Sequence, residues 1–140
     1  MRNTRTKLFT ISRIVAICLL FFTGINALVA GFLFIIDPSG QSIGMSTSYL
    51  SNSPFNNFLI PGITLFIVNG LMNMVTAILC LKNYKHYSSW ISIQGLLLSG
   101  WILIQVLFVR DFNVLHFSML MIGFVLIFLG TTIKNQLKKE

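Results

Sequence analysis

The stretch Ile14–Ile36, IVAICLLFFTGINALVAGFLFII, decides the fold. It contains no Asp, Glu, Lys or Arg, and it is long enough to cross a hydrocarbon core about 30 Å thick, which takes roughly 20 apolar residues in a helix. Three further uncharged runs follow, at about 58–81, 90–109 and 114–133. Inside lipid every backbone amide and carbonyl must be satisfied within the segment, so each run is predicted to be helical. Residues 1–140 therefore read as a single all-α membrane domain, a four-transmembrane-helix up-down bundle. The connections 82–89 and 110–113 are short and make consecutive helices antiparallel neighbours. The segment 37–57 is the one longer loop, between helices 1 and 2.

Composition excludes the alternatives. Of the 140 residues, 55% are hydrophobic and 9% charged, and the mean hydropathy is +0.83; a soluble domain carries roughly 25% charged residues. So small a globule cannot hide that much apolar surface from water. The formal net charge of +7 would suggest nucleic acid in a soluble protein, but here the cations sit in short tracts between uncharged runs, and no soluble element offers a basic face. The expected partner is the lipid bilayer, with a homo-oligomer or a membrane partner protein beside it and no nucleic acid.

Sidedness follows from the same cations. Arg2, Arg5, Lys7 and Arg13 precede the first span, Lys82 and Lys85 lie in the 82–89 connection, and Lys134, Lys138 and Lys139 lie in the tail. With four spans these three segments share one side, leaving Arg110 alone on the other. The positive-inside bias then places both termini in the cytoplasm and the 37–57 loop outside. The first span is read as a retained anchor, because its apolar run is well beyond the 7–15 residues of a usual signal-peptide core.

The 37–57 loop, DPSGQSIGMSTSYLSNSPFNN, is rich in turn residues. Asp37-Pro38-Ser39-Gly40 fits a type I turn with Pro38 at its second position. Ile43–Leu50 is predicted to be a short interfacial helix on the bundle mouth, which is either a functional lid or a plain connector. Asp37 and Arg110 each follow a span on the external side and form a candidate charge pair; Asp111 is the rival partner for Arg110.

Polar residues within spans are costly unless partnered. Asn69, Asn73, Thr76 and Cys80 recur at 4-3-4 spacing on one face of the second helix; Gln94, Trp101 and Gln105 share a face of the third. Two readings stand. The first is interhelical glue, with Asn73 paired to Gln94 or Gln105 at about 0.6 kcal/mol per pair. The second is the wall of a polar cavity at the external mouth, bounded by the loop, Asn69, Gln105 and His116. His116 is either an interfacial anchor or a titrating member of that mouth. Gly24, Ala27 and Gly31 make a small-residue stripe on the first helix, with Asn26 on the opposite side, and Gly123 and Gly130 make another seam on the fourth.

The chemistry of catalysis is missing. Two Cys, two His and three acids are scattered without metal-ligand spacing. There is no C-x-x-C, no phosphate-binding glycine loop followed by Lys and no nucleophile elbow. No span carries the acid a proton-coupled exporter needs. The chain is expected to be no enzyme, to take no cofactor and to hold no metal.

Asp37-Pro38-Ser39-Gly40, Ser53-Pro54-Phe55, Phe58-Leu59-Ile60-Pro61-Gly62 and Asn69-Gly70, together with Trp101-Ile102-Leu103-Ile104-Gln105 and the Gly123 region, resemble a family of small bacterial four-helix integral membrane proteins. A weaker likeness is to the DoxX-like group. The resemblance implies a four-helix bundle in a bacterial inner membrane and brings no activity with it. The expected function is interaction with itself or with a partner protein in the membrane; the alternative is a binder or carrier of a small hydrophobic or lipid-like molecule at the external mouth.

Overall fold

The computed structural model describes residues 2–138, and side chains from Lys7 onward. The side chains of Arg2 and Arg5, and Lys139 as a whole, lie outside the described residues. Four long helices run antiparallel in sequence order: α1 (Arg2–Ile36), α2 (Leu59–Leu81), α3 (Tyr87–Val109) and α4 (Val114–Leu137). Each is long and apolar enough to cross a membrane. One end of the bundle carries the 37–58 loop and the α3–α4 connection and is called the loop end below. The other carries the start of α1, the end of α4 and the α2–α3 connection; it is called the terminal end.

The helices extend beyond the uncharged runs chiefly at the terminal end. The helix α1 starts at Arg2, α3 starts at Tyr87 and α4 continues to Leu137. Lys and Arg have apolar stems that lie along a helix while the charge reaches water, so a basic flank does not stop a helix at the hydrocarbon boundary.

The bundle is two tight hairpins. Along α1–α2 the backbones approach closely: a Cβ on Gly31 would meet Phe66 N at 2.7 Å and Gly62 O at 2.8 Å, and one on Gly24 would meet Asn73 Cβ at 3.1 Å. Along α3–α4, a Cβ on Gly95 would come within 2.5 Å of Gly123 O, and one on Gly130 within 2.7 Å of Ser88 O. The predicted small-residue seams are therefore both used inside the bundle. In lipid, where apolar burial drives no association, such close packing is what holds helices together. Contact between the two hairpins is sparser. At the terminal end they meet through Ala16, Leu20, Cys80, Ile91, Leu126 and Ile133, all buried.

Within α2, residues Leu65–Leu71 form a π-helical segment between α-helical stretches. The wider turn buries the neighbours Asn69 and Gly70 together, and Asn73 Nδ2 donates to the Asn69 carbonyl at 2.6 Å. Such segments inside α-helices are frequent at functional sites. Pro61 sits in the first turn of α2, where its missing N–H costs nothing, and Asn57 Oδ1 accepts the Leu59 amide at 3.0 Å.

The loop departs from the sequence reading. Ile43–Leu50 is no continuous interfacial helix but part of two 3₁₀ turns, Gln41–Ile43 and Thr47–Leu50. Gly44, at φ 69°, ends the first turn in the left-handed region, which breaks any continuing helix. Phe58 N donates to Pro38 O at 2.8 Å across the base of the loop. Phe34 stacks on Phe58 at 4.7 Å between centroids, and Leu50 is buried with them. The loop is thus anchored on the bundle by an apolar cluster of its own.

Candidate functional site

A cavity of about 530 Å³ opens between the two hairpins at the loop end. Drug-sized ligands occupy pockets of about 300–1,000 Å³. Its walls come from every part of the mouth: Asn26 and Ala30 of α1, Met45 and Tyr49 of the loop, Asn69 of α2, Trp101 and Gln105 of α3, and His116 of α4.

Three of the predicted polar residues, Asn69, Gln105 and His116, are brought together in this wall. The other three are not. Asn73 and Gln94, fully buried, and Thr76, 2% exposed, are absent from the lining. The expected Asn73 amide pairs do not form. Asn73 Nδ2 is engaged by the π-segment carbonyl, and neither amide atom of Gln94 has a partner. Thr76 Oγ1 donates to Met72 O of its own helix at 2.8 Å.

Asn69 is the most demanding group. It is 1% exposed, and both its amide oxygen and its amide nitrogen lack a hydrogen-bond partner. Trp101 Nε1 is likewise buried and unbonded. Unmatched buried polar atoms are uncommon and costly, on the order of 1–3 kcal/mol each. These atoms have almost no accessible surface of their own and stand just behind the cavity wall.

His116 is oriented by its own helix start. Asn113 Oδ1 accepts the amides of Leu115 and His116 at 3.0 and 3.2 Å, and His116 Nδ1 accepts the Asn113 amide at 3.4 Å. This reciprocal capping box makes Nδ1 the acceptor, so the neutral ring carries its proton on Nε2. Phe112 stacks on the ring with centroids 6.4 Å apart. Among the described residues the only ionisable carboxylate in the wall is Asp111, and neither Lys nor Arg lines it.

The candidate pair Asp37–Arg110 is not formed. Asp37 Oδ1 accepts from the Ser39 amide at 3.1 Å and hydroxyl at 2.5 Å, and Oδ2 accepts from the Ser42 amide at 2.8 Å. With both oxygens turned onto its own loop, Asp37 stabilises the Asp37–Gly40 turn, whose Gly40 N to Asp37 O bond is 3.0 Å. The Ser39 hydroxyl, then the Ser42 amide, hold its carboxyl below the ordinary range.

The sequence reading missed several features of the site. Asn26, on the face of α1 away from the glycine stripe, faces the cavity, and its Nδ2 bonds Phe22 O at 2.7 Å. Trp101 was visible only as part of the Gln94–Gln105 face. The π-helical segment has no composition signal.

No family model matches the chain, and neither a curated protein nor a solved structure does. What the fold and the mouth define is a class: a small multi-pass membrane protein of four spans. The likeness noted above reaches only to that architecture.

Proposed function

We propose that this membrane protein binds a small neutral amphipathic molecule in the loop-end cavity and acts as a binder or carrier, without catalysis. One observation carries the reading: Asn69, almost wholly buried and with both amide atoms unbonded, stands in the wall of a cavity of about 530 Å³. Trp101 Nε1 and the Nε2–H of His116 add donors suited to a carbonyl or hydroxyl oxygen. The apolar wall of Ala27, Leu98 and Ile102 suits a hydrocarbon portion. A wall without Lys or Arg disfavours an anionic head.

The competing reading, association with another membrane protein through small-residue faces, has less support. Gly24, Gly31, Gly62, Gly70, Gly95, Gly123 and Gly130 all press on neighbouring helices of the same chain. The proposed setting is a bacterial inner membrane, with the cavity open to the outside and both termini in the cytoplasm. Lys7, Arg13, Lys82, Lys85, Lys134 and Lys138 at the terminal end, against Arg110 alone at the loop end, support that orientation.

The test uses Trp101 as the reporter. In a W90F variant it is the sole tryptophan. A bromine-labelled monoacylglycerol added to the reconstituted protein is expected to quench it saturably, and A30F, which fills the cavity, is expected to abolish the saturable part. Quenching that rises linearly with probe content and is unchanged by A30F would refute the site.

A further inference from the structure

A second cavity, of about 430 Å³, lies at the terminal end, and its chemistry is the opposite of the first. Lys85 and His86 of the α2–α3 connection and Lys134 and Lys138 at the end of α4 line it, with Phe9 of α1 and Leu137 at its apolar edge. Residues some fifty positions apart in the chain converge there because α3 and α4 form one tight hairpin. Among the described residues the only carboxylates are Asp37 and Asp111, both at the loop end, so neither of them neutralises the three lysines. The first turn of α3, Tyr87–Ser89, also lines it, and this helix starts without a side-chain cap; the positive end of its dipole adds to the field of the lysines. Trp90, exposed one residue further on, marks the depth of the membrane interface.

We infer that this basic cavity is a binding site for the phosphodiester of an anionic phospholipid, with Lys85, Lys134 and Lys138 around the phosphate and Phe9 and Leu137 beside the glycerol and first methylenes. Converging lysines over an apolar edge fit a lipid headgroup at the bundle end better than a solvated charged face, which needs no enclosure. The inference is independent of the loop-end cavity and of which side of the membrane either end faces.

The experiment measures phospholipid retained by the full chain from an equal mixture of phosphatidylglycerol and phosphatidylcholine, read by native mass spectrometry. Wild-type protein is expected to prefer phosphatidylglycerol by about tenfold or more, since several juxtamembrane lysines attract the anionic headgroup together. K85Q/K134Q/K138Q is expected to lose that preference to within about twofold, while K7Q/K82Q/R110Q, which removes as much charge outside the cavity, keeps it. Thermal unfolding of both variants verifies that they are folded. Equal loss in the two variants would reduce the effect to net charge and overturn the site. Inorganic phosphate that binds the protein in pure phosphatidylcholine and displaces phosphatidylglycerol would assign the cavity to a free anion and overturn the lipid.

Discussion

The guanidinium of Arg13, on α1, donates to the carbonyl of Cys80 at the end of α2, with Nη2 at 2.6 Å and Nε at 3.2 Å, and Nη2 also reaches Leu81 O at 3.1 Å. The same group lies 5.7 Å from the centre of the Tyr87 ring, the first residue of α3. One side chain thus satisfies carbonyls that a helix C-terminus leaves orphaned, complements the negative end of its dipole and holds three helices together. In the sequence Arg13 is only one more basic flank of a hydrophobic run.

Removing this clasp is expected to be costly. R13A should lower stability in detergent by about 1.5–3 kcal/mol, the range for hydrogen bonds to a charged group. R13K should recover only part of it, because an ammonium cannot reproduce the planar fork or the stacking. Thermal unfolding followed by circular dichroism checks both variants; equal stability of R13A and wild type would mean the clasp contributes nothing.

The glycines divide sharply by position. A Cβ at Gly95 would run into the Gly123 carbonyl, whereas one at Gly100 meets nothing within 4 Å. G95A should destabilise by about 1–3 kcal/mol through overpacking of the α3–α4 seam. G100A should stabilise by about 0.5–1 kcal/mol through the backbone freedom removed from the unfolded chain. Similar effects of the two substitutions would contradict the close α3–α4 approach.

Gln94 is fully buried with neither amide atom bonded. Q94L, close in volume and without a polar group to desolvate, is expected to raise stability by on the order of 1–3 kcal/mol. A lower unfolding temperature for Q94L would reveal a partner for the amide inside the bundle.

The loop has its own pH dependence. The hydrogen bonds from Ser39 and Ser42 favour the ionised form of Asp37 and lower its pKa in the folded protein below the ordinary 3.8. The sign follows: the contribution of Asp37 is fully present above the unfolded value and is lost as pH falls through the lower, folded one. Amide protection over residues 39–44, corrected for intrinsic exchange, should hold level from neutral pH to about pH 5 and decline only below the ordinary carboxylate range. D37A should show the weaker protection at every pH. A decline centred near pH 6 in wild type would implicate another group.

How much of this was legible beforehand depends on the kind of physics involved. The spans were legible because the hydrocarbon sets a length and forbids charge, and runs such as Ile14–Ile36 satisfy both. The glycine seams were legible because small residues at helical spacing have few other uses in lipid. The mouth was partly legible: Asn69, Gln105 and His116 line one cavity, while Asn73, Thr76 and Gln94 are absent from its lining. The π-helical turn at Leu65–Leu71 and the Arg13 clasp were not legible, since one depends on a change of hydrogen-bond register and the other on a partner more than sixty residues away. The Asp37–Arg110 pair failed because serines two and five residues along the chain reach the carboxylate first.

Sidedness rests on the cations and has its own check. A cysteine introduced at Ser51, exposed in the loop, should react with a membrane-impermeant maleimide in intact cells, and one at exposed Asn83 only after lysis. The reverse pattern would invert the proposed orientation.

The most direct measurement is native mass spectrometry of the gently extracted chain and its A30F variant. Wild type is expected to carry one neutral amphipathic adduct per chain, released on activation, and A30F to fly without it. A bare wild-type chain in a mild detergent, or the same adduct on both proteins, would contradict a ligand in the mouth between the two hairpins.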